Sequence, residues 1–495
     1  MSIIGKGLGS KLSTIVALGL WIVSMLLIYD KNYATPETRE LVDIPIDGNV
    51  SGEFQNWMNV TMNGAKIGYT MQSFTNSPLG YVLKDYSLIR LPMGGTIREI
   101  YLDSYAVLSL DLSLKNFTFG LVSGEYTSDV FGEVRNGRLN VKLRSQNNES
   151  EVSIDAEKGV FLPGVIPLLA KARGFPEGEF TLPTFDPFSL AMSEIQVVIG
   201  AEEEVAVQRG KAKGRYLQLN VSGIASKMWV DAGGHVLREE ETGGMMMLAT
   251  SKEAALDVPE VEVGDLDILD ELAVPCVGEV SDPRNASSIL VRIDGIEAGL
   301  FDLEDDFQTV VSTNPLIIEI HPDTITHSTI GDAERFFASE PFIQVRDPRI
   351  VNMAHRIVES ETLARAKSDR IGRWVYENVE KDYAVSLPSA VDVLDVRKGD
   401  CNEHTALFTA LARASGLPTK ICIGLVYKDG RFYYHAWSAV HLDGWTPVDP
   451  TFGQDIADAT HIKLLEGGFE RQADLMRVVG KVTVTILQSP EEQSL

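Results

Sequence analysis

Cysteine is scarce in this chain, with Cys276, Cys401 and Cys422 the only three among 495 residues. Three scattered cysteines exclude a disulfide-built scaffold and a four-cysteine zinc site, and their odd number leaves at least one thiol unpaired. In an oxidising compartment, a bridge from Cys276 to Cys422 is the one pairing that spares Cys401. Without that bridge we expect Cys276 and Cys422 to be buried free thiols.

Basic residues are also few, because 44 lysines and arginines stand against 70 acidic residues for a formal net charge of -26. Such a surface repels phosphate backbones, so nucleic acid is not expected as a partner. The length and the 44% hydrophobic content suffice for two or three domains, each with its own core.

An uncharged segment, Leu12–Tyr29, follows Lys6 and Lys11 near the N-terminus. A helix of this length spans about 27 Å, close to the thickness of the hydrocarbon core of a bilayer. We predict that residues 1–31 form a cytoplasmic tip and a single transmembrane signal-anchor, with the bulk of the chain extracytoplasmic, either periplasmic or at the cell surface. A signal peptide cleaved after Ala34 is the alternative.

Residues 50–250 alternate between apolar and polar side chains, with glycine turns at short intervals. This pattern predicts a large antiparallel β domain, with hairpin turns at Asn63-Gly64 and Asn136-Gly137. The leucines of Leu108–Leu114 are expected to share one strand face, and a short helix at Val165–Arg173 is expected to cover a face or an edge of the sheet. The domain loosely resembles the curved sheets of periplasmic lipoprotein carriers, and we expect it to act as a spacer or a partner-binding module.

The chain then changes in composition twice. Residues 251–275 are rich in carboxylates and predict an acidic linker. Residues 276–345 contain two short strand patterns and predict a small β module or lead-in. Residues 346–490 are predicted to be the catalytic domain, opening with helical periodicity up to about Val379. The predicted fold class is therefore multidomain: one N-terminal transmembrane helix, a large antiparallel β domain and a C-terminal α+β domain.

Cys401 is predicted to lie in the first turn of a helix. Asp400 is a suitable N-cap, Glu403 completes a capping box, and Gly416 ends the apolar stripe that follows. The unpaired amides of a helix N-terminus stabilise a thiolate, so the pKa of Cys401 is expected to be lowered. Strands are predicted after this helix, with His435 and Asp449 on two neighbouring ones.

Three short blocks in this region resemble the signature blocks of the transglutaminase-like superfamily, in the same order: Arg397–Cys401, His435–Trp437 and Val448–Thr451. The resemblance implies a papain-like or transglutaminase-like α+β fold over about the last 150 residues. It also implies that Cys401 is the nucleophile, that His435 exchanges its proton, and that Asp449 orients His435.

The implied reaction is attack of the Cys401 thiol on an amide, release of an amine, and a thioester that water or a second amine resolves. We expect hydrolysis, which makes the protein a cysteine protease or amidase acting on a protein or peptide substrate, at peptide or isopeptide bonds. A glutamine acyltransferase that cross-links envelope proteins and a scaffold without turnover are the alternatives. No cofactor or metal is expected, and the oligomeric state is not encoded in the sequence.

Three further residues have candidate roles beside this triad. Asp400 is expected to support Cys401 as the helix cap. Trp437 would either shield the thioester from water or serve as ordinary packing. His404, one helical turn after Cys401, offers an alternative in which both residues bind zinc.

Overall fold

In the computed structural model, residues 52–488 are described, except 147, 188–189, 209, 222–223, 242–243, 261–266, 324–327, 332, 384–385, 387–388, 469–470, 472–473 and 476–477. They divide into two compact units, with the boundary at Glu271 and Leu272 and with Ser145–Asn148 grouped with the second unit. The predicted signal-anchor, Leu12–Tyr29, lies outside the described residues. None of the helices described has the length and apolar character needed to cross a membrane.

The first unit is built on a sheet of fourteen strands, in the spatial order β8-β7-β6-β5-β4-β3-β2-β1-β14-β13-β12-β11-β10-β9. Neighbours in sequence pair as antiparallel hairpins, and β1 pairs with β14 in the middle of the sheet. The large antiparallel β domain is therefore confirmed. Its strands are β1 (Phe54–Met62), β2 (Ala65–Ser77), β3 (Gly80–Met93), β4 (Thr96–Leu108), β5 (Leu114–Ser123), β6 (Tyr126–Arg135), β7 (Arg138–Ser145), β8 (Glu149–Asp155), β9 (Gly178–Asp186), β10 (Ala191–Ala206), β11 (Lys211–Val221), β12 (Ile224–Val230), β13 (Val236–Glu241) and β14 (Met245–Thr250).

The two predicted Asn-Gly turns connect hairpins. Asn63 and Gly64 have φ values of 51° and 84°, and Asn136 and Gly137 have 53° and 72°. Two successive residues with positive φ match the twist of the strands they join, and asparagine and glycine adopt that conformation most readily. Both turn predictions are confirmed.

The single strand face predicted for Leu108–Leu114 is wrong. β4 ends at Leu108 and β5 begins at Leu114, and the chain reverses between them with Leu112 at φ 68°. Leu112 is nevertheless fully buried, whereas Leu110 is 63% exposed. The alternating leucines therefore continue across a turn, with Leu112 buried and Leu110 exposed, and do not mark one strand.

A short helical segment packs on the apolar face of this sheet. It consists of a 3-10 turn, Pro163–Val165, and α1 (Ile166–Ala172), with Leu168 and Leu169 buried. Pro163 and Gly164 line a cavity together with side chains of the sheet. The helix thus covers a face of the sheet rather than one edge.

Part of the predicted acidic linker packs against the first unit. It contains α2 (Lys252–Leu256) and α3 (Ile268–Leu272). Lys66 on β2 donates hydrogen bonds to the carbonyl oxygens of Ala254, Ala255 and Asp257 at 2.6, 2.8 and 2.8 Å. A cation at a helix C-terminus satisfies carbonyls that lack helical partners, so Lys66 fixes the end of α2.

The second unit contains a nine-stranded sheet in the order β17-β18-β16-β25-β15-β22-β21-β24, with β23 paired to β22. The strands predicted for 276–345 belong to this sheet, because β25 near the C-terminus pairs with both β15 and β16. They do not form a module apart from residues 346–490. The strands are β15 (Val274–Val277), β16 (Ile289–Asp294), β17 (Gln308–Thr313), β18 (Leu316–Ile320), β21 (Thr419–Lys428), β22 (Arg431–His441), β23 (Trp445–Val448), β24 (His461–Glu466) and β25 (Thr483–Gln488), beside a short separate pair, β19 (Glu380–Lys381) and β20 (Lys398–Gly399).

Four helices complete the second unit: α4 (Pro348–Val358), α5 (Ala364–Asn378), α6 (Ala390–Val396) and α7 (Cys401–Ala414). α7 is central, because it packs on β21 and β22 and contacts the other three helices. Leu407 and Leu411 are fully buried on it. The helix that begins at Cys401 is therefore held between a sheet and a helical layer.

Candidate active site

The start of α7 positions Cys401, and it has the predicted capping box. The Asp400 carboxylate accepts from the Asn402 amide at 2.8 Å, and the Glu403 carboxylate accepts from the Asp400 amide at 2.8 Å. Glu403 is only 2% exposed, and the Ser386 hydroxyl donates to its other oxygen. These bonds hold the backbone on both sides of Cys401.

Gly399 permits this close arrangement. Its φ is 153°, and a Cβ there would lie 2.3 Å from the Cβ of Glu403. Any side chain at this position would push Glu403 out of the capping box. Steric crowding by Glu403 therefore explains why the Arg397–Cys401 block has a glycine at position 399.

The first turn of α7 faces one edge of β22. That edge pairs with β15 at Phe432 and with β23 from Ser438 onward. Between these two points, the Thr405 hydroxyl donates to the Ala436 carbonyl at 3.0 Å. The Ala436 amide hydrogen-bonds to the Cys401 sulfur. The nucleophile candidate thus contacts the strand at the residue next to His435.

His435 and Asp449 form a buried pair. The Nε2 atom of His435 donates to Oδ2 of Asp449 at 2.9 Å, and the residues are 7% and 0% exposed. The other carboxylate oxygen accepts from the amides of Thr451 and Phe452 at 2.6 and 3.1 Å. Because Nε2 carries a hydrogen in this arrangement, a neutral His435 has Nδ1 as its basic atom.

A second histidine, His461, binds the same carboxylate and was not predicted from the sequence. Its Nε2 donates to Oδ2 of Asp449 at 3.0 Å, and its Nδ1 to the Asp458 carbonyl at 3.0 Å. Burial opposes its charge, but the bonds to Asp449 and Asp458 raise the pKa of His461 to about 9. Both ring nitrogens of His461 face hydrogen-bond acceptors, an arrangement that favours the imidazolium form.

Asp458 anchors this second histidine. Burial opposes its ionisation, but His461 and Arg284 lower the pKa of Asp458 to about 2. Arg284 forms an ion pair with it at 2.9 Å, and Gln454 donates to it at 2.9 Å. The Arg284 guanidinium also lies 4.6 Å from the ring centroid of Phe452. Arg284 comes from the segment predicted as a lead-in, so that segment contributes to the site.

The carboxylate of Asp449 remains ionised although it is fully buried. Burial alone would raise its pKa, but the charge and hydrogen bonds of His435 and His461 hold the pKa of Asp449 well below its usual range. A carboxylate between two imidazoles accepts from both without needing water. Its ionisation is thus coupled to the positive charge of His461.

The lowered pKa expected for Cys401 is not found. Burial of the sulfur, together with the negative charge of Asp400, raises the pKa of Cys401 well above its usual range, although the Ala436 amide acts in the opposite direction. Burial beside Glu403 likewise raises the pKa of Asp400. The helix N-terminus would lower the pKa of Cys401. Burial of the sulfur beside two carboxyl groups has the larger, opposite effect. Burial of the sulfur therefore favours the thiol over the thiolate.

Trp437 lies two residues after His435 on the same face of β22. It is fully buried, with its ring centroid 6.1 Å from that of His435 and 5.2 Å from that of His461. It also packs with Cys422 in a small apolar cluster. Trp437 therefore packs beside both histidines and is also part of the core.

The three cysteines are all free thiols. Cys422 is buried as expected, whereas Cys276 is only half-buried. Burial raises the pKa of Cys276 to about 11 and that of Cys422 to about 12. Neither cysteine lies within the group formed by Cys401, His435 and Asp449.

Two groups of side chains are candidate metal ligands. Atoms of His435, Asp449 and His461 lie within 4.8 Å of one another, so a metal could bind there only by replacing both imidazole hydrogen bonds to Asp449. For the zinc alternative at Cys401 and His404, Nδ1 of His404 donates to the Asp400 carbonyl at 2.7 Å, and Nε2 faces the Val379 carbonyl at 3.3 Å. Both nitrogens of His404 point at backbone oxygens, which does not support a zinc site.

Comparison with known proteins identifies one family. Residues 351–450 match the model of the transglutaminase-like superfamily. An uncharacterized protein of Haemophilus influenzae is 28% identical over 132 residues. That match covers 25% of this chain and 35% of the relative, so it spans about a third of that protein's length.

Two solved structures show a limited similarity to parts of this chain. A putative cysteine protease from Cytophaga hutchinsonii matches 40% of this chain and 83% of its own, with a TM-score of 0.27 and 16% identity. A β-barrel-like protein of a domain family of unknown function, from Brucella abortus, matches 40% of this chain and 94% of its own, with a TM-score of 0.33 and 15% identity.

Proposed function

Residues 351–450 form a transglutaminase-like domain, and we propose that it hydrolyses amide bonds in proteins or peptides through Cys401, His435 and Asp449. One observation carries the proposal. The Cys401 thiol contacts the β22 backbone next to His435, whose Nε2 is 2.9 Å from a buried Asp449 carboxylate. Acyl transfer by a cysteine uses a thiol as nucleophile, a histidine that accepts its proton, and a carboxylate that orients the histidine.

In the proposed cycle, His435 removes the thiol proton as Cys401 attacks the amide carbonyl. Because burial favours the thiol, we propose that this proton moves as the sulfur attacks rather than before. The Ala436 amide stabilises negative charge on the sulfur as it develops. His435 then protonates the departing amine, which leaves a thioester on Cys401. Water, deprotonated by His435, releases the acid and restores the thiol.

Asp449 acts through His435. Its hydrogen bond fixes the imidazole tautomer and stabilises the imidazolium formed after attack. His461 donates to the same oxygen at 3.0 Å, so it holds the carboxylate in place and offsets part of its charge. We propose His461 as a positioning residue and Asp458 as its anchor.

The proposal is tested with purified protein, casein and a fluorescent primary amine in one incubation. Hydrolysis is expected, since water resolves the thioester unless the site excludes it. New peptide N-termini, located by mass spectrometry, should accumulate without fluorescence in casein. Fluorescent casein with intact peptide bonds would instead identify a transamidase, and neither product from any of several protein substrates would favour the scaffold alternative.

We further propose that Leu12–Tyr29 anchors the protein and places this domain outside the cytoplasm. The lysines before the segment and its 18 uncharged residues support this orientation. The full chain is expected in the membrane fraction and resistant to extraction by alkaline carbonate. A chain lacking residues 1–31 should be released, and recovery of the full chain in the soluble fraction would contradict the anchor.

A further inference from the structure

The first unit contains a cavity that the proposed chemistry does not use. Its volume is about 280 Å³, and it lies on the face of the sheet covered by Pro163 and Gly164. Most of its lining is apolar, including Met58, Phe117 and Met228. This volume lies near the lower end for small-molecule pockets, which run from about 300 Å³ upward, and suits a ligand with one ring or a short alkyl chain.

Two glutamates on β13 bring acidic groups into this apolar space. Glu239 and Glu241 are two residues apart on one strand, so both face the cavity, and their carboxyl groups hydrogen-bond to each other. The Ser226 hydroxyl donates to Glu239 at 2.9 Å. Glu241 is 8% exposed, and its Oε2 atom is buried without a hydrogen-bond partner among the described residues. One acceptor atom in the cavity is therefore unsatisfied.

Two further carboxyl groups, Asp85 on β3 and Asp103 on β4, line the same cavity. Gln72 and Ser104 donate to the two oxygens of Asp85 at 2.9 and 3.1 Å. The described residues that line the cavity include no lysine, arginine or histidine. Burial therefore raises the pKa of Asp85, Glu239 and Glu241, since nothing positive offsets it.

A buried carboxyl oxygen without a hydrogen-bond partner, such as Oε2 of Glu241, is costly, and a charged donor is the group that best satisfies it. An ammonium group offers three hydrogens and a positive charge to the Glu239–Glu241 pair. The apolar lining would hold the rest of such a ligand. An anionic ligand, such as a fatty acid, would bring a like charge to the same place and is disfavoured.

We propose that this cavity binds a small primary amine whose ammonium group pairs with Glu239 and Glu241 and whose apolar body fills the remaining space. The β domain would then be a receptor module for a hydrophobic amine, a role that does not depend on activity of the transglutaminase-like domain.

The test is calorimetric titration of the full-length protein with phenethylamine and with phenethyl alcohol, which has the same body without the charge. The amine is expected to bind at one site, at least about tenfold more tightly than the alcohol, because a charge-assisted hydrogen bond distinguishes them. The two titrations compare ligands on the unaltered protein, so they require no variant to fold.

Glu241→Gln is expected to weaken amine binding by about tenfold or more while leaving binding of the alcohol unchanged. Glu240→Gln is the matched control, because Glu240 is on the same strand and pairs with Arg238 on the opposite face. It should bind the amine as the unaltered protein does. Equal binding of both ligands, no saturable binding of the amine at millimolar concentration, or equal effects of the two variants would overturn the proposal.

Discussion

Replacement of Cys401 by serine is expected to lower the rate of acyl transfer by about 10³-fold or more. A serine hydroxyl keeps the shape of the site but is a far weaker nucleophile than a thiol at the same position. The measurement is release of nitrophenolate from p-nitrophenyl acetate, which reports acylation of the nucleophile without requiring the natural substrate. Mass spectrometry of the trapped protein should locate the acyl group on Cys401.

Cys276→Ser is the matched control, because Cys276 is a half-buried free thiol in the same unit. It should acylate at the rate of the unaltered protein. Acylation that survives Cys401→Ser, or an acyl group located on Cys276, would contradict the assignment of the nucleophile.

The pH dependence of this reaction distinguishes two forms of the resting site. A preformed thiolate would react with iodoacetamide below the ordinary thiol pKa of about 8.5. Because burial raises the pKa of Cys401, we expect labelling in the absence of substrate to increase only above that value. Fast labelling at pH 6 would mean that the helix N-terminus, rather than burial, has the larger effect on the pKa of Cys401.

Replacement of Asp449 by asparagine is expected to have the second largest effect, on activity and on stability together. The amide no longer fixes the tautomer of His435, so acylation should fall by about 10³-fold to 10⁴-fold. His461 would also lose the charge that opposes its imidazolium. Removing one member of a buried ion pair costs about 3–5 kcal/mol of the free energy of unfolding.

Both effects can be measured on one preparation. Urea unfolding followed by hydrogen exchange in β22 and β24 reports the stability of the second unit, and the ester assay reports activity. Asp429→Asn is the control, because Asp429 lies in an exposed turn at φ 49°, a conformation that asparagine accepts. It should change stability by less than about 0.5 kcal/mol. Unchanged stability in Asp449→Asn would refute the coupling between Asp449 and His461.

Much of the local structure around Cys401 could be predicted because it depends on neighbours in sequence. A helix cap, its reciprocal glutamate and a terminating glycine act over three or four residues, and α7 has the predicted start. Hairpin turns such as Asp429-Gly430 are equally local, and strands follow α7 as predicted. The prediction of a single strand over Leu108–Leu114 was wrong because the chain turns between β4 and β5, and alternation by itself does not reveal that turn.

The role of His461 could not be predicted, because it depends on contacts between residues that are far apart in the sequence. His461 lies on β24, which pairs with β21, and nothing local in the sequence specifies that β24 follows β21 in the sheet. Arg284 is still more distant in the chain from the Asp458 it binds. Pairings between separated segments depend on how the whole sheet assembles, so the anchor of Asp449 emerges only in the folded chain.

The sequence by itself determined the superfamily of the domain at residues 351–450 and its nucleophile candidate, because a helix cap and three short blocks are local patterns. The tertiary structure decided the protonation of the site. The protonation of Cys401 depends on how the fold buries its sulfur beside Asp400 and Glu403. The charge of His461 depends on Asp449, which comes from a different part of the chain. The tertiary structure also decided that Glu239 and Glu241 line a cavity whose described lining residues include no lysine, arginine or histidine, since a sheet must curve before its face encloses a cavity.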